Sequence, residues 1–362
     1  MRVMVVGGGV AGLSAAWALG RRGVRDVILL ERAATLFAGS SGRNAAIFRP
    51  AERPIELARL ALRTAELLDD ALGGRAPWLA QRGLLLTARD PGDLTPLAEL
   101  CEAAGLRYGR VDGAEVVRRA PITAGGHATG GLAVELGGVL DLHAIATGLE
   151  RAIRVGGGRI ELGASVRRVI VRAGRVAGVE LAGGDELPAE HVVIAGGAWA
   201  GALGAGAGAP LPLGPVRRHL VQLEPERPVA PGGPTIWDAG LGSYFRPESG
   251  GVLASPADAE PWAAADPPAD PAALELLWSR LDRMAPALAA ARVRRSWACL
   301  RTFAPDHVSV IGADPRVVGL HWLAGLGGHG ITCGAAAGEL LAAVVTGAEH
   351  PARAAFAPAR LL

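Results

Sequence analysis

The chain opens on RVMVV at residues 2–6, a β-branched run that ends in a cluster of glycines at 7, 8, 9 and 12. An apolar run stopped by glycine predicts a buried strand. Residues 10–22 continue with small and apolar residues at helical spacing, and Val27–Leu30 is a second apolar run closed by Glu31. Together they predict a strand–helix–strand unit, the building block of a parallel sheet. Across 54–72, Ile55, Leu57, Leu60, Leu62 and Leu67 alternate with charged positions, which predicts an amphipathic helix. Leu94–Ala104, Leu142–Val155, Leu274–Met284 and Thr332–Val345 are expected to be further helices. Ala164–Val171 and Val176–Leu181 flank Ala173-Gly174 and read as a hairpin, and His191–Ala195 as a buried strand. Between 216 and 255 several short strands are expected, separated by Pro and Gly. The stretch ALGAGAGA at 202–209 is of low complexity and is expected to form a flexible loop.

Composition narrows the classes of protein. With 362 residues, half of them apolar, the chain can bury the cores of two interwoven domains. A net charge of +2 gives no basis for a nucleic-acid partner, and membrane contact is at most peripheral. All 37 basic residues are arginines, so Schiff-base and P-loop lysine chemistry are excluded. Cys101, Cys299 and Cys333 are odd in number and far apart. Neither a disulfide framework nor a cysteine zinc site fits them; no metal is expected, and a reducing cytoplasm suits them. Met1–Gly20 lacks the charged start and long apolar run of a signal peptide, and His191–Gly214 is too broken by Gly and Pro to span a membrane.

The glycines carry the first chemistry. Gly7, Gly9 and Gly12 form GxGxxG between a predicted strand and a predicted helix. The first allows the tight turn, the second close approach to a pyrophosphate, the third close packing of helix on sheet. Glu31 follows where an acid would hold a ribose hydroxyl, which favours FAD or NAD over NADP. Two further glycine-rich turns, Gly39–Asn44 and Gly325–Thr332, are each expected to open a helix N-terminus. A third such terminus suits the electron-rich edge of a reduced flavin and points to FAD. An aromatic hydroxylase is disfavoured because only one dinucleotide fingerprint is present.

The chain resembles the D-amino-acid oxidase type of flavoprotein, a group that includes glycine and sarcosine oxidases and D-amino-acid dehydrogenases. Within it the likeness is greatest to the bacterial D-arginine dehydrogenases. It is carried, nearly end to end, by VVGGGVAGLSAA, SSGRNAA at 40–46, VVIAGGAWA at 192–200, PVRRHL at 215–220, SYFRP at 243–247, GVLASPADAEP at 251–261, SWACLRTFAPD at 296–306 and GLGGHGIT at 325–332. The resemblance implies an α/β fold of the GR2 type. A Rossmann-like FAD-binding domain (1–75, 140–212 and 302–362) would carry an inserted α+β substrate domain (76–139 and 213–301) on a mixed, largely antiparallel sheet.

It also implies FAD contacts from Gly7, Gly9, Val10, Ala11, Gly12, Glu31, Arg32, Ser40, Ser41, Arg43, Asn44, Ala45, Ala46, Val166, Ala195, Gly196, Trp199, Arg301, Gly327, Gly328, His329, Gly330, Ile331 and Thr332. Arg301 would bind a substrate carboxylate, Tyr244 would hydrogen-bond it and Arg218 would line the pocket, although Arg217 competes for that place on a strand. His329 would tune the flavin or the substrate amine. The implied activity is oxidation of a small amino acid or amine by hydride transfer from Cα to flavin N5. The alternative is a flavin-bearing subunit of a heteromeric dehydrogenase, or a glycine or sarcosine oxidase-like enzyme. Cys299 matches the cysteine that holds flavin covalently in monomeric sarcosine oxidases, where a lysine also promotes reaction with oxygen. A quinone or dye-like acceptor is therefore expected ahead of oxygen.

Three departures bear on specificity. The arginine dehydrogenases hold the substrate side chain with a glutamate where this chain has Gln81-Arg-Gly-Leu84, so no acid is expected to meet a basic substrate. Ile47 stands in place of a histidine, with Arg49 and Glu52 nearby, and Trp237 replaces an aliphatic pocket residue. A neutral or acidic substrate side chain is expected.

Overall fold

The computed structural model describes residues 1–362, and two large sheets organise them. The first runs in the order Val310–Ala313, Leu320–Ala324, His191–Ile194, Arg2–Val6, Asp26–Glu31 and Arg159–Leu162. Its neighbours are parallel except for the antiparallel edge strand Val310–Ala313. Both faces are covered, which is why the central strands read as unbroken apolar runs. One face packs against helices Val10–Arg21, Ile55–Leu72, Leu142–Val155 and Gly330–Val345. The other meets the hairpin Val166–Arg172/Arg175–Leu181 and the short helix Ala200–Gly206.

Small residues set the helix packing that matters here. A Cβ on Gly338 would collide with the backbone carbonyl of Ser14, so the closing helix lies directly against the first. Their N-terminal ends are neighbours: a Cβ on Gly330 would lie 3.3 Å from Val10 Cγ1.

The second sheet has nine strands. Gly214–Glu224 pairs along its whole length with Arg292–Phe303, and on its other edge with Glu260–Pro261 and Gly251–Ser255. The sheet continues through Tyr244–Glu248, Thr235–Asp238, Leu84–Ala88, Gly130–Val134 and Tyr108–Asp112, antiparallel except where Thr235–Asp238 meets Leu84–Ala88. Leu277, Leu281 and Met284 of helix Pro271–Met284 cover one face, and Asp270 caps that helix by accepting from Ala272 N–H at 2.9 Å. A small sheet of Ile47–Phe48, Gly138–Leu140 and Leu79–Ala80 joins the two halves. No helix is long and apolar enough to cross a membrane.

Three expectations are corrected. Residues 202–209 are not a loop: Ala200–Gly206 is helical, because Gly204 lies so close under the Trp322 ring that packing, not side-chain patterning, fixes it. Gly39–Asn44 opens no helix. Asn44 donates to the carbonyls of Ser40 (3.0 Å) and Ser41 (2.7 Å) and accepts from Ala46 N–H (2.7 Å), which closes a turn instead. The region after 216 begins with an 11-residue strand, not a short one. Arg217 and His219 mask it, since their polar groups are buried among partners and not solvated.

Candidate active site

Where the first sheet ends, its strands give way to three glycine-bearing segments around a cavity of about 550 Å³. Gly7 and Gly9 lie at the turn into the first helix, whose leading N–H groups have no intrahelical partner. Val10 N–H is taken by Ser41 Oγ at 2.9 Å, which ties the 40–46 turn to the helix end. Glu31 closes the second strand and accepts from Gly8 N–H at 2.5 Å and Ala33 N–H at 2.8 Å, so its carboxylate is held at the cavity wall. The Arg32 guanidinium lies 3.5 Å from the centroid of Trp199, and both line the cavity. At the other side stand Ser40, Arg43, Asn44 and Gly327–Thr332 without His329. A Cβ on Gly9 would approach Ser41 Oγ to 3.0 Å and narrow the gap between helix end and turn. A narrow cradle at a helix N-terminus, an acid after the second strand and a glycine-rich second helix start are a donor set that fits a dinucleotide pyrophosphate and ribose.

Most residues that the resemblance assigns to FAD line this cavity, Val166, Ala195 and Gly196 among them. Four do not. Gly12 lies beneath it, where a Cβ would strike the Gly7 carbonyl, so its role is helix packing. Ala46 points into the core, and its carbonyl accepts from Leu140 N–H. Ala45 and His329 face the neighbouring cavity. Ala33, Ser165 and Gly197 line the FAD cavity without having been expected there; they belong to loops and turns whose neighbours alone carried a motif, while Cys299, singled out by its likeness to a flavin-holding cysteine, lines it too.

That neighbouring cavity, about 560 Å³, shares Asn44, Ile47, Arg301, Gly328 and Thr332 with the first. Its floor is one face of the nine-stranded sheet. Pairing of Val216 with Arg301 and of Arg218 with Cys299 puts Arg218 and Arg301 on the same face as diagonal neighbours. Arg217, on the opposite face, pairs with Glu260 and Asp270 under the Trp262 ring, which settles the competition between the two arginines by register. Trp237 and Tyr244 are also cross-strand partners, stacked at 4.4 Å and 15°. Arg49 lies over the same Trp237 ring at 3.9 Å.

The side chains in this cavity are short of partners. Arg301 spends Nη1 on Cys299 Sγ (2.8 Å) and the Leu300 carbonyl (3.1 Å), and Arg218 spends Nε on the Asp258 carbonyl (2.9 Å). Neither faces a carboxylate, because that of Asp258 is spent on His219, through its backbone N–H (2.9 Å) and Nδ1 (2.7 Å). Glu52 is the one acid in the cavity lining; it pairs with Arg49, and its Oε2 lies 2.8 Å from His329 Nε2. Burial pushes Arg49 down to about 10, so it remains charged near neutrality. Burial lowers Arg218 as well, with Arg301 adding to the effect. His329 is pushed below its ordinary value by burial and then by Arg49, Arg218 and Arg301, while the Glu52 carboxylate acts in the opposite sense.

No acid reaches the cavity from the 81–84 segment: Gln81 is exposed, donating to the Glu135 carbonyl at 3.3 Å. The acid that the cavity does hold is Glu52, which with Arg49 lies close to Ile47 in the sequence.

Comparison with known proteins agrees with this geometry. The family described as "DAO: FAD dependent oxidoreductase" matches residues 2–344. The chain is 27% identical to the mitochondrial pyruvate dehydrogenase phosphatase regulatory subunit of Mus musculus, over 94% of this chain and 41% of that protein. It is 25% identical to mitochondrial sarcosine dehydrogenase of Mus musculus, over 94% of this chain and 39% of that one. It thus spans about two-fifths of the length of either relative. Glycine oxidase from Geobacillus kaustophilus superposes with a TM-score of 0.85 at 26% identity, covering 99% of this chain and 98% of that one.

Proposed function

The chain belongs to the DAO family of FAD-dependent oxidoreductases, and from that premise we propose that it oxidises the C–N bond of a small amino acid or secondary amine. The observation that carries this reading is the place of Arg301. It stands in the wall common to the FAD cavity and the neighbouring cavity, buried, with Nε and Nη2 free of protein partners. A planar guanidinium in that position grips a carboxylate bidentately.

FAD is held by the helix N-terminus at Gly9–Ala11 around the pyrophosphate, by Glu31 at a ribose, and by Ser40–Asn44 and Gly327–Thr332 at the flavin end. When bound, the flavin supplies the acceptor at N5 for the hydride that leaves the substrate Cα. The chain's own residues do the rest. Arg301 takes the α-carboxylate and Tyr244, its ring fixed by Trp237, donates a second hydrogen bond. Two fixed donors orient Cα, and orientation supplies much of the rate. The surplus of guanidinium charge disfavours an ammonium group, so the substrate amine reacts as the free base. The resulting imine takes up water to give a keto acid and ammonia from a primary amine, or the carbonyl compound and a primary amine from a secondary one.

A second reading follows from the relatives' greater length: the chain acts as the flavin-bearing part of a larger assembly. One experiment separates the two. The purified holoprotein is mixed anaerobically with a panel of D- and L-amino acids and N-methyl amines while the flavin band is followed. Bleaching by at least one of them is expected. A band that no substrate bleaches would leave the assembly reading standing alone.

A further inference from the structure

Charge in the cavity beside the FAD cavity is out of balance in a way that one carboxylate does not repair. Arg49, Arg218 and Arg301 face a single acid, Glu52, and His329 is neutral beside them. The surplus is two positive charges in a largely enclosed space. Leaving a guanidinium buried without a counter-charge costs several kcal/mol, and nothing in the protein supplies one. The α-carboxylate of an ordinary amino acid removes half of the surplus.

The free donors are also spread over two walls. Arg301 keeps Nε and Nη2 unspent, and Arg218 keeps both of its Nη atoms. Both rise from the sheet floor. Arg49 comes from the opposite segment, after Ile47–Phe48, and keeps Nε and Nη1 free while its Nη2 is turned toward Glu52 and His329. Arg218 and Arg301 share one face of the sheet and all three guanidiniums line one cavity.

We propose that the cavity is built for a substrate with two carboxylates, an acidic amino acid or a dicarboxylic secondary amine. Arg301 and Tyr244 take the α-carboxylate, and the second carboxylate is taken by Arg218 and Arg49, whose guanidinium lies over the Trp237 ring. This rests on the oxidase-type reading of the same site, with Arg49 and Arg218 added as the residues that set specificity.

The test has two arms. In the first, non-oxidisable ligands are titrated into the FAD-loaded protein and read by the shift of the flavin spectrum: malonate, succinate and glutarate against acetate, propionate and butyrate. At least one diacid is expected to bind tenfold or more tightly than the monoacid that lacks its second carboxylate. In the second, kcat/KM for D- and L-aspartate, D- and L-glutamate and iminodiacetate is compared with that for asparagine, glutamine and sarcosine. A preference of tenfold or more for the dicarboxylates is expected. Both ratios should fall toward one in Arg49→Met and Arg218→Met, and recover in Arg49→Lys, with retained FAD showing that each variant is folded. Equal binding of diacids and monoacids overturns the proposal, even where substrates are turned over. Tight diacid binding without turnover of any substrate upholds it and defeats the catalytic reading instead.

Discussion

Glu52 Oε2 lies 2.8 Å from Nε2 of His329, and the same carboxylate pairs with Arg49. It is the only negative charge lining the cavity where the substrate amine must lose its proton. Removing it raises the local positive potential, which disfavours the ammonium form and lowers the amine pKa. Glu52→Gln should therefore move the acid limb of the kcat/KM profile to lower pH, by roughly half to one unit. A profile with an unmoved acid limb would show that Glu52 does not act on the reacting amine.

Arg301 and Tyr244 differ in what each can lose. Arg301→Met removes a charged bidentate contact together with the orientation it imposes, and kcat/KM should fall by several orders of magnitude. Tyr244→Phe keeps the stack on Trp237 and removes one hydrogen bond, which costs about 1–3 kcal/mol. Steady-state kinetics on the best substrate reads both. Near-normal kinetics in Arg301→Met would place the carboxylate clamp elsewhere.

Much of this arrangement was legible in the chain. Strand, glycine turn and helix at residues 2–21 announce themselves because each level agrees: apolar run, GxGxxG, small residues on the helix. Arg218 was ambiguous because choosing between it and Arg217 needs the strand register, which pairing across to Cys299 supplies. Glu52 was named with Arg49 near Ile47, but its contact with His329 was not legible, because it reaches the cavity from a short loop after a two-residue strand and His329 lies more than 250 positions away in the chain. The long strand Arg292–Phe303 was invisible because four of its first five positions are polar or charged, and only the partner strand orders them.

Cys299 is engaged on both sides. Its Sγ accepts from Arg301 Nη1 at 2.8 Å, and its thiol donates to the Arg43 carbonyl at 3.2 Å. A thiol used in that way is a small buried packing group, and FAD should be held without a covalent bond. Acid precipitation should leave the yellow colour in the supernatant, for the wild type and for Cys299→Ala alike. Colour retained in the pellet of the wild type and lost in the variant would establish a thioether.

His321 stands far from that chemistry, behind the first sheet, with Nε2 2.9 Å from His191 Nδ1. Burial first, and His191 second, push its pKa down to about 3, so it stays neutral in the folded protein well into acid. In the unfolded chain it takes a proton near pH 6.5. Between those two values the unfolded state binds more protons, so stability falls as pH falls through that window. At pH 4.5 the loss is about 2.7 kcal/mol at most for this group. His321→Phe should lessen the drop in Tm between pH 7 and pH 4.5. An unchanged drop would mean that the imidazole is protonated in the folded protein.

The absence of lysine bears on how electrons leave. The sarcosine oxidases that the chain resembles place a lysine ammonium beside the flavin to speed reaction with oxygen, and this chain has none to place. The cations that line the cavity beside the FAD cavity are Arg49, Arg218 and Arg301. A guanidinium spreads its charge over a plane, whereas an ammonium concentrates it at a point that can stabilise a small oxygen anion. In the proposed complex these guanidiniums are also occupied by substrate carboxylate. Reduced enzyme is therefore expected to reoxidise slowly in air and to turn over faster with a quinone or dye acceptor. Stopped-flow mixing of the reduced protein with air-saturated buffer, set against turnover with a soluble quinone, measures both. Reoxidation by air as fast as turnover would make the protein an oxidase, with one of the arginines serving where its relatives use lysine.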